Sequence, residues 1–163
     1  MALTIVVVAE AEMWGRDSLM EPKDRDMSEQ LVVSGFRYLI LESPFCATQV
    51  SIPKPFAVLV PAFDESERRQ IEEIAMNLVN IGCEDFCCVG PESELLHDAL
   101  DWLFVDNENE TIDVVTSAFE DESDACEYFL FAAGAQMFHL LALVSLHPEL
   151  TSLLKQIGGM SHH

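Results

Sequence analysis

Carboxylates that follow predicted strands are the residues of this chain best suited to chemistry. In an open α/β sheet, ligands bind in the crevice beyond the carboxyl ends of the strands. Carboxylate oxygens there are the ligands that hard cations such as Mg²⁺ prefer. The spacing therefore predicts, as one hypothesis, a divalent cation held by Asp64, Glu92 and Asp121. The acids assigned to this edge are Glu10, Glu12, Asp64, Glu65, Glu92, Glu120 and Asp121.

The same acids have an alternative role that needs no ligand. Asp64, Glu92 and Asp121 stand where helices are predicted to begin. A negative charge at a helix N-terminus is favoured by roughly 0.3–1 kcal/mol because it opposes the positive end of the helix dipole. Asp64 is followed three positions later by Glu67, which is the spacing of a capping box. Helix capping is the commoner use of such residues.

Phosphoryl chemistry is disfavoured by the absence of cations. No lysine or arginine occurs between Arg69 and Lys155, and neither a Walker pattern nor G-x-G-x-x-G is present. Phosphate groups need cationic or glycine-rich surroundings. A receiver-type acidic pocket would also need a lysine after a later strand, where the chain has none.

The histidines give two weaker candidates. His97 and Asp101 are four residues apart, so on a helix they share one face and could form an acid-base pair or bind a metal together. An exposed helix pair is the commoner outcome, since a metal site needs more ligands. His139 lies in an apolar run and is predicted to be a core histidine.

Cysteine and serine chemistry has little support. Cys83, Cys87 and Cys88 lack the C-x-x-C spacing of zinc sites, and adjacent strand residues such as Cys87 and Cys88 point to opposite faces. Buried thiols are therefore expected. G-x-S-x-G is absent, and Ser66 and Ser93 are expected at helix caps.

The elements that position these residues alternate between strand and helix. Such alternation predicts right-handed crossovers and an α/β fold with a mainly parallel central sheet of about five strands and helices on both faces, Rossmann-like or flavodoxin-like. Predicted strands are 4–9, 31–33 with 36–42 as a hairpin or one bent strand, 56–60, 86–89 and 111–117. Predicted helices follow 64, 91 and 148, and 125–146 is expected to be a buried helix or strand plus helix rather than a membrane span.

One α/β domain is expected over residues 1–161. Residues 14–30 are expected to be a less regular segment, and 162–163 resemble the remnant of a tag. The odd number of cysteines, five, favours reduced thiols, and the apolar start lacks the features of a signal peptide, so a cytoplasmic location is expected.

The charge distribution is the most unusual property of the sequence. The chain has 29 acids and 8 bases, giving a formal charge of -21, and the stretch from Gln70 to Leu154 holds 18 acids with no lysine or arginine. Such a surface repels nucleic acid and anionic membranes, because binding to phosphate depends on neutralisation by lysine and arginine. It attracts basic proteins, with faster association at low salt.

Two hypotheses of function follow. The first is a non-enzymatic acidic domain that binds a basic protein, such as an inhibitor or immunity protein acting on a nucleic-acid-binding partner, with Trp14 or Trp102 as an apolar anchor. Its acidic surface comprises Glu72, Glu73, Asp106, Glu108, Glu110, Glu120, Asp121, Glu122 and Asp124. The second is a small α/β enzyme or ligand-binding domain that uses Mg²⁺ and the strand-end carboxylates. A third reading is that the charge serves solubility or adaptation to high salt.

Overall fold

A computed structural model of the protein describes residues 29–33, 37–105, 113–133 and 139–159, without the side chains of residues 29–33 and of Thr48. The strands are β1 (Glu29–Val33), β2 (Arg37–Leu41), β3 (Phe56–Pro61), β4 (Cys83–Val89), β5 (Val115–Phe119) and β6 (His139–Ala142). The α-helices are α1 (Glu65–Asn80), α2 (Ser93–Val105), α3 (Glu122–Phe131) and α4 (Pro148–Ile157), and a 3-10 helix covers Pro44–Gln49.

The strands form one sheet in the order β1-β2-β6-β3-β4-β5. The five strands from β2 to β5 in this order are parallel, and β1 is antiparallel to β2. The predicted α/β fold with a mainly parallel sheet is confirmed. Of the two alternatives for residues 31–42, the hairpin is the one that forms.

Helices cover both faces of the sheet. Apolar side chains of α1 and α2, such as Ile71 and Leu100, share one buried cluster with Phe86 of β4. Side chains of α3 and α4, such as Phe129 and Leu154, form a second cluster on the other face. Every residue of β3 is buried because helices pack on both of its sides, which is why its sequence is a continuous apolar run.

The chain changes direction once within the parallel sheet. From β3 it moves outward through β4 to β5, with α1 and α2 on one face, and it then returns through α3 on the other face to insert β6 between β2 and β3. The carboxyl ends of β3 and β6 are therefore neighbours from which the chain departs toward opposite faces. This junction is the topological switch point, where open α/β sheets bind ligands.

Several predicted boundaries are wrong. The strand expected at 111–117 is Val115–Phe119, so it ends two residues later, and β1 begins at Glu29, inside the segment expected to be irregular at 14–30. Leu95, whose spacing matches the apolar residues of the second predicted helix, is 54% exposed. The strand predicted at 4–9 and the rest of the irregular segment lie outside the described residues.

The apolar stretch 125–146, expected to be one helix or a strand plus a helix, contains most of α3 followed by the whole of β6, so the helix comes first. Most of its described side chains are buried, which accounts for its low polarity. In the part of the chain that the structure describes, no helix has the length and apolar character needed to cross a membrane.

Candidate functional site

The junction between β3 and α1 is built by two acidic side chains. Asp64 is the N-cap of α1, and its Oδ1 accepts a hydrogen bond from the backbone N–H of Glu67 at 2.9 Å. Glu67 reaches back in turn, and its Oε1 accepts from the backbone N–H of Phe63 at 2.9 Å. The predicted capping box is thus present in a modified form, because Glu67 bonds one residue before the cap.

Glu67 also binds a histidine from the other side of the switch point. His147, in the loop between β6 and α4, lies with its Nε2 2.5 Å from Oε2 of Glu67, and its ring stacks on Phe63 with 4.6 Å between ring centroids. Both polar side chains are mostly shielded from solvent. These three residues join the two loops that leave the switch point.

A second link connects α1 to the loop after β4. Arg68 donates from Nε to Glu92 and from Nη1 to Glu72, both at 2.8 Å. The hydrogen bond to Glu92, followed by that to Glu72, raises the pKa of Arg68 above its ordinary value. Both carboxylates are therefore engaged by a cation of the same chain.

The carboxylates of the cation hypothesis thus have roles within the fold. Asp64 caps α1, Glu92 pairs with Arg68, and Asp121 caps α3 by accepting from the backbone N–H groups of Ser123 and Asp124 at 2.8 and 3.0 Å. Within residues 29–33, 37–105, 113–133 and 139–159, no group of three or more histidine, cysteine, aspartate or glutamate residues is placed to hold a metal. Glu10 and Glu12 lie outside these ranges.

The link between Glu67 and His147 is expected to stabilise the fold measurably. Glu67→Gln and His147→Gln should each lower the free energy of unfolding, and the double variant should lose less than the sum, leaving a coupling energy of about 0.5–3 kcal/mol. Urea unfolding of the four proteins measures this cycle. As a matched control, the exposed ion pair of Arg69 with Glu65 should give a coupling below about 1 kcal/mol. Equal coupling energies for the two pairs would contradict the assigned role.

The acidic residues predicted to bind a partner lie, as far as the structure describes them, in two separate places. Glu73 is exposed on α1, whereas Glu72 beside it is half-buried and paired with Arg68. The residues Glu120, Asp121, Glu122 and Asp124 lie around the start of α3, in the helical layer on the opposite face of the sheet. Asp106, Glu108 and Glu110 lie outside the described residues. The predicted acids that the structure describes are therefore not joined into one patch.

A third acidic region lies on the outer side of α2; sequence reasoning named Trp102 there as an anchor but did not assign the acids beside it to the binding surface. Glu94, Asp98 and Asp101 are exposed there, and the helix carries no lysine or arginine. The same side presents three large apolar residues, Leu95, Trp102 and Val105, which are 54%, 72% and 73% exposed. The sequence does contain a signal for this surface. Apolar residues occur at 95, 102 and 105, in addition to the apolar residues at 96, 100 and 104 that face the core.

A shallow groove of about 480 Å³ lies beside this surface, between α1 and α2. Ala99 and Leu103 line it from α2, and the charged residues that line it from α1 are Arg68, Arg69, Glu72 and Glu73. Arg68 is paired with Glu92 and Glu72, and Arg69 is paired with Glu65. The charges of both arginines are therefore largely neutralised by neighbouring carboxylates.

The remaining candidates are the pair of His97 and Asp101, His139 and Ser93. His97 and Asp101 share a face of α2 as predicted, with 3.6 Å between Nδ1 and Oδ2, but Asp101 also accepts a 2.6 Å hydrogen bond from Thr116 Oγ1. His139 is half-buried rather than a core residue; it stacks on Tyr38, and burial lowers its pKa. Ser93 is fully buried, and its hydroxyl has no hydrogen-bond partner among the described residues.

Four of the five thiols are unsuited to nucleophilic chemistry. Cys83, Cys87, Cys88 and Cys126 are buried, and burial raises the pKa of each, to about 12 for Cys87 and Cys126. Because the reactive form of cysteine is the thiolate, such groups are inert at neutral pH. Cys87 and Cys88 lie in different clusters on opposite faces of the sheet, as predicted.

Comparison with known proteins gives one match. A family model described as "Domain of unknown function (DUF7684)" matches residues 36–157. The chain belongs to this family. The matched range begins just before β2 and ends at the last residue of α4, so it contains the five parallel strands and the four α-helices. No curated protein and no solved structure matches the chain.

Proposed function

We propose that this domain binds a basic protein through a rigidly displayed acidic surface, as an inhibitor or immunity protein that occludes a nucleic-acid-binding partner would. Complementary charge accelerates association and discourages binding to other acidic proteins. The proposal does not require catalysis.

The observation that carries the proposal is the outer side of α2. Its three carboxylates lie on a helix whose inner side is fixed in the core by Leu96, Leu100 and Phe104. The acids at the strand ends, by contrast, are used for helix capping and internal ion pairs. The geometry therefore supports protein recognition better than chemistry at a cation.

The partner itself is the first thing to isolate. The full-length protein, immobilised at low salt, is expected to retain a discrete basic protein from a lysate of its native host, and added salt should release it. Purified partner should then bind the free protein in solution. Recovery of no basic protein under these conditions would contradict the proposal.

Charge substitutions then distinguish the two surfaces. Glu94→Gln with Asp98→Asn on α2 is expected to slow association with the partner roughly tenfold at low salt, since two charges are removed and each ion pair at contact distance is worth up to ~1 kcal/mol in water. The matched control is Glu120→Gln with Asp124→Asn near the start of α3. Each pair removes two exposed charges, one of them in the first turn of a helix. Stopped-flow measurements that give the same rates for both variants would contradict the assignment to α2.

A further inference from the structure

We infer that the outer side of α2, together with the adjoining groove, is the docking face for a cationic amphipathic helix of the basic partner. This inference rests on the proposed function and deepens it by naming the contact surface and the chemistry of the bound segment. Trp102 is the central anchor, Leu95 and Val105 extend the apolar strip, and Glu94 and Asp98 supply the charges.

The apolar part of the face has helical spacing. Leu95 and Trp102 are seven residues apart, which is about two turns, and Val105 is three residues further on. These side chains therefore form a strip along one side of the helix, and Ala99 and Leu103 continue it into the groove. A side chain as large as tryptophan that is 72% exposed has the character of an interface anchor, because tryptophan is enriched among residues that dominate binding energies.

The charges identify the occupant. The strip is bordered by carboxylates of α2 and, across the groove, by Glu73 of α1, whereas Arg68 and Arg69 are already paired. A purely apolar segment would leave those carboxylates without compensation. A helix with leucine-like residues along one side and lysine or arginine beside them satisfies both parts, as in the binding of amphipathic helices in apolar grooves.

The test measures the fluorescence of Trp102 itself. The sequence has two tryptophans, so the full chain with Trp14→Phe leaves Trp102 as the single tryptophan, which can be excited apart from the tyrosines. The probe is a synthetic amphipathic helical peptide of lysine and leucine, and the control peptide replaces each leucine with serine at the same charge. We expect the lysine-leucine peptide to shift the emission of Trp102 to the blue and protect it from acrylamide, whereas the serine peptide does neither.

Calorimetry then measures the affinity for the peptide in a way that does not depend on the fluorescence of Trp102. Trp102→Ala is expected to weaken binding of the lysine-leucine peptide about tenfold or more. The control is Phe131→Ala, which truncates an aromatic residue of α3 that is 50% exposed and should leave the affinity unchanged. Equal affinity of these two variants, or no binding of the peptide at low salt, would overturn the inference. If the basic partner from the native host still binds in that case, the proposed function stands.

Two further results would also overturn the inference. Trp102 already shielded from acrylamide in the free monomer would show that another part of this chain covers the face. A Trp102-dependent dimer in sedimentation would show that the occupant is a second copy. An accessible Trp102 in a monomeric free protein supports the inference.

Discussion

Raising the pH above about 9 is expected to destabilise the protein steeply. Burial raises the pKa of Cys87 and Cys126 from the ordinary value of 9.0 to about 12, and it raises the pKa of Cys83 and Cys88 in the same direction. The unfolded chain therefore releases these protons near pH 9, whereas the folded chain retains them. The part of the free energy of unfolding that depends on the protonated thiols is fully present below pH 9. It is lost as the pH rises toward about 12, at about 1.4 kcal/mol per pH unit for each thiol.

The measurement is urea unfolding at a series of pH values from 7 to the highest at which folding persists. Cys126→Ala should make the alkaline slope shallower by the contribution of one thiol, although a small cavity lowers the stability at pH 7. The slope is the relevant quantity, because the cavity affects all pH values equally. An unchanged slope would show that the Cys126 thiol does not limit stability in alkali.

Replacing Gly90 with alanine is expected to cost about 3 kcal/mol or more, since a strained backbone and a steric clash act together. Gly90 has φ 127°, and a Cβ atom there would lie 2.5 Å from the carbonyl oxygen of Ala62. That oxygen already accepts a hydrogen bond from the backbone N–H of Glu92, while Gly90 donates to Phe119 O. The glycine thus holds together the carboxyl ends of β3, β4 and β5, and none of them can move away without losing a bond.

Gly159 provides the matched control. Its φ of 77° lies nearer the left-handed region that non-glycine residues can enter at a cost of roughly 1–2 kcal/mol, and it follows the last helix of the described chain. Gly159→Ala should therefore destabilise the protein less than Gly90→Ala. Similar midpoints of thermal unfolding for the two variants would contradict the role of Gly90 as a constrained contact between strand ends.

Much of the fold could be predicted because its signals are local. The run Phe56–Val60 followed by Asp64 predicts a buried strand and a capped helix, and both form. The separation of Cys87 and Cys88 between two faces follows from the alternation of side chains along a strand. Leu95 shows the limit of such reasoning, since an apolar residue at helical spacing fits either a core or a docking strip.

The long-range contacts could not be predicted in the same way. The pairing of Glu67 with His147 spans 80 residues and exists only because β6 inserts between β2 and β3. No local sequence pattern predicts this strand order. The acidic surface was likewise predicted as one set of residues. Whether acids from α1, α2 and α3 share a face depends on which side of the sheet each helix packs.

The described acids of helices α1, α2 and α3 are thus displayed on a folded body rather than on a loose tail. Helices α1, α2 and α3 all lie within the stretch Gln70–Leu154 or overlap it, and each is fixed by buried apolar residues. A surface held in this way keeps its charges at constant positions, which favours recognition of a complementary partner. In the proposed complex, the apolar strip of α2 would add the affinity that charge alone supplies poorly.

The dependence of the association rate on salt tests the central claim most directly. Stopped-flow association of the full protein with its isolated basic partner should slow about tenfold or more as ionic strength rises from about 0.01 to 0.15 M, because the Debye length falls from about 30 to about 8 Å. Dissociation should change much less. An association rate independent of salt over this range would contradict recognition through an acidic surface.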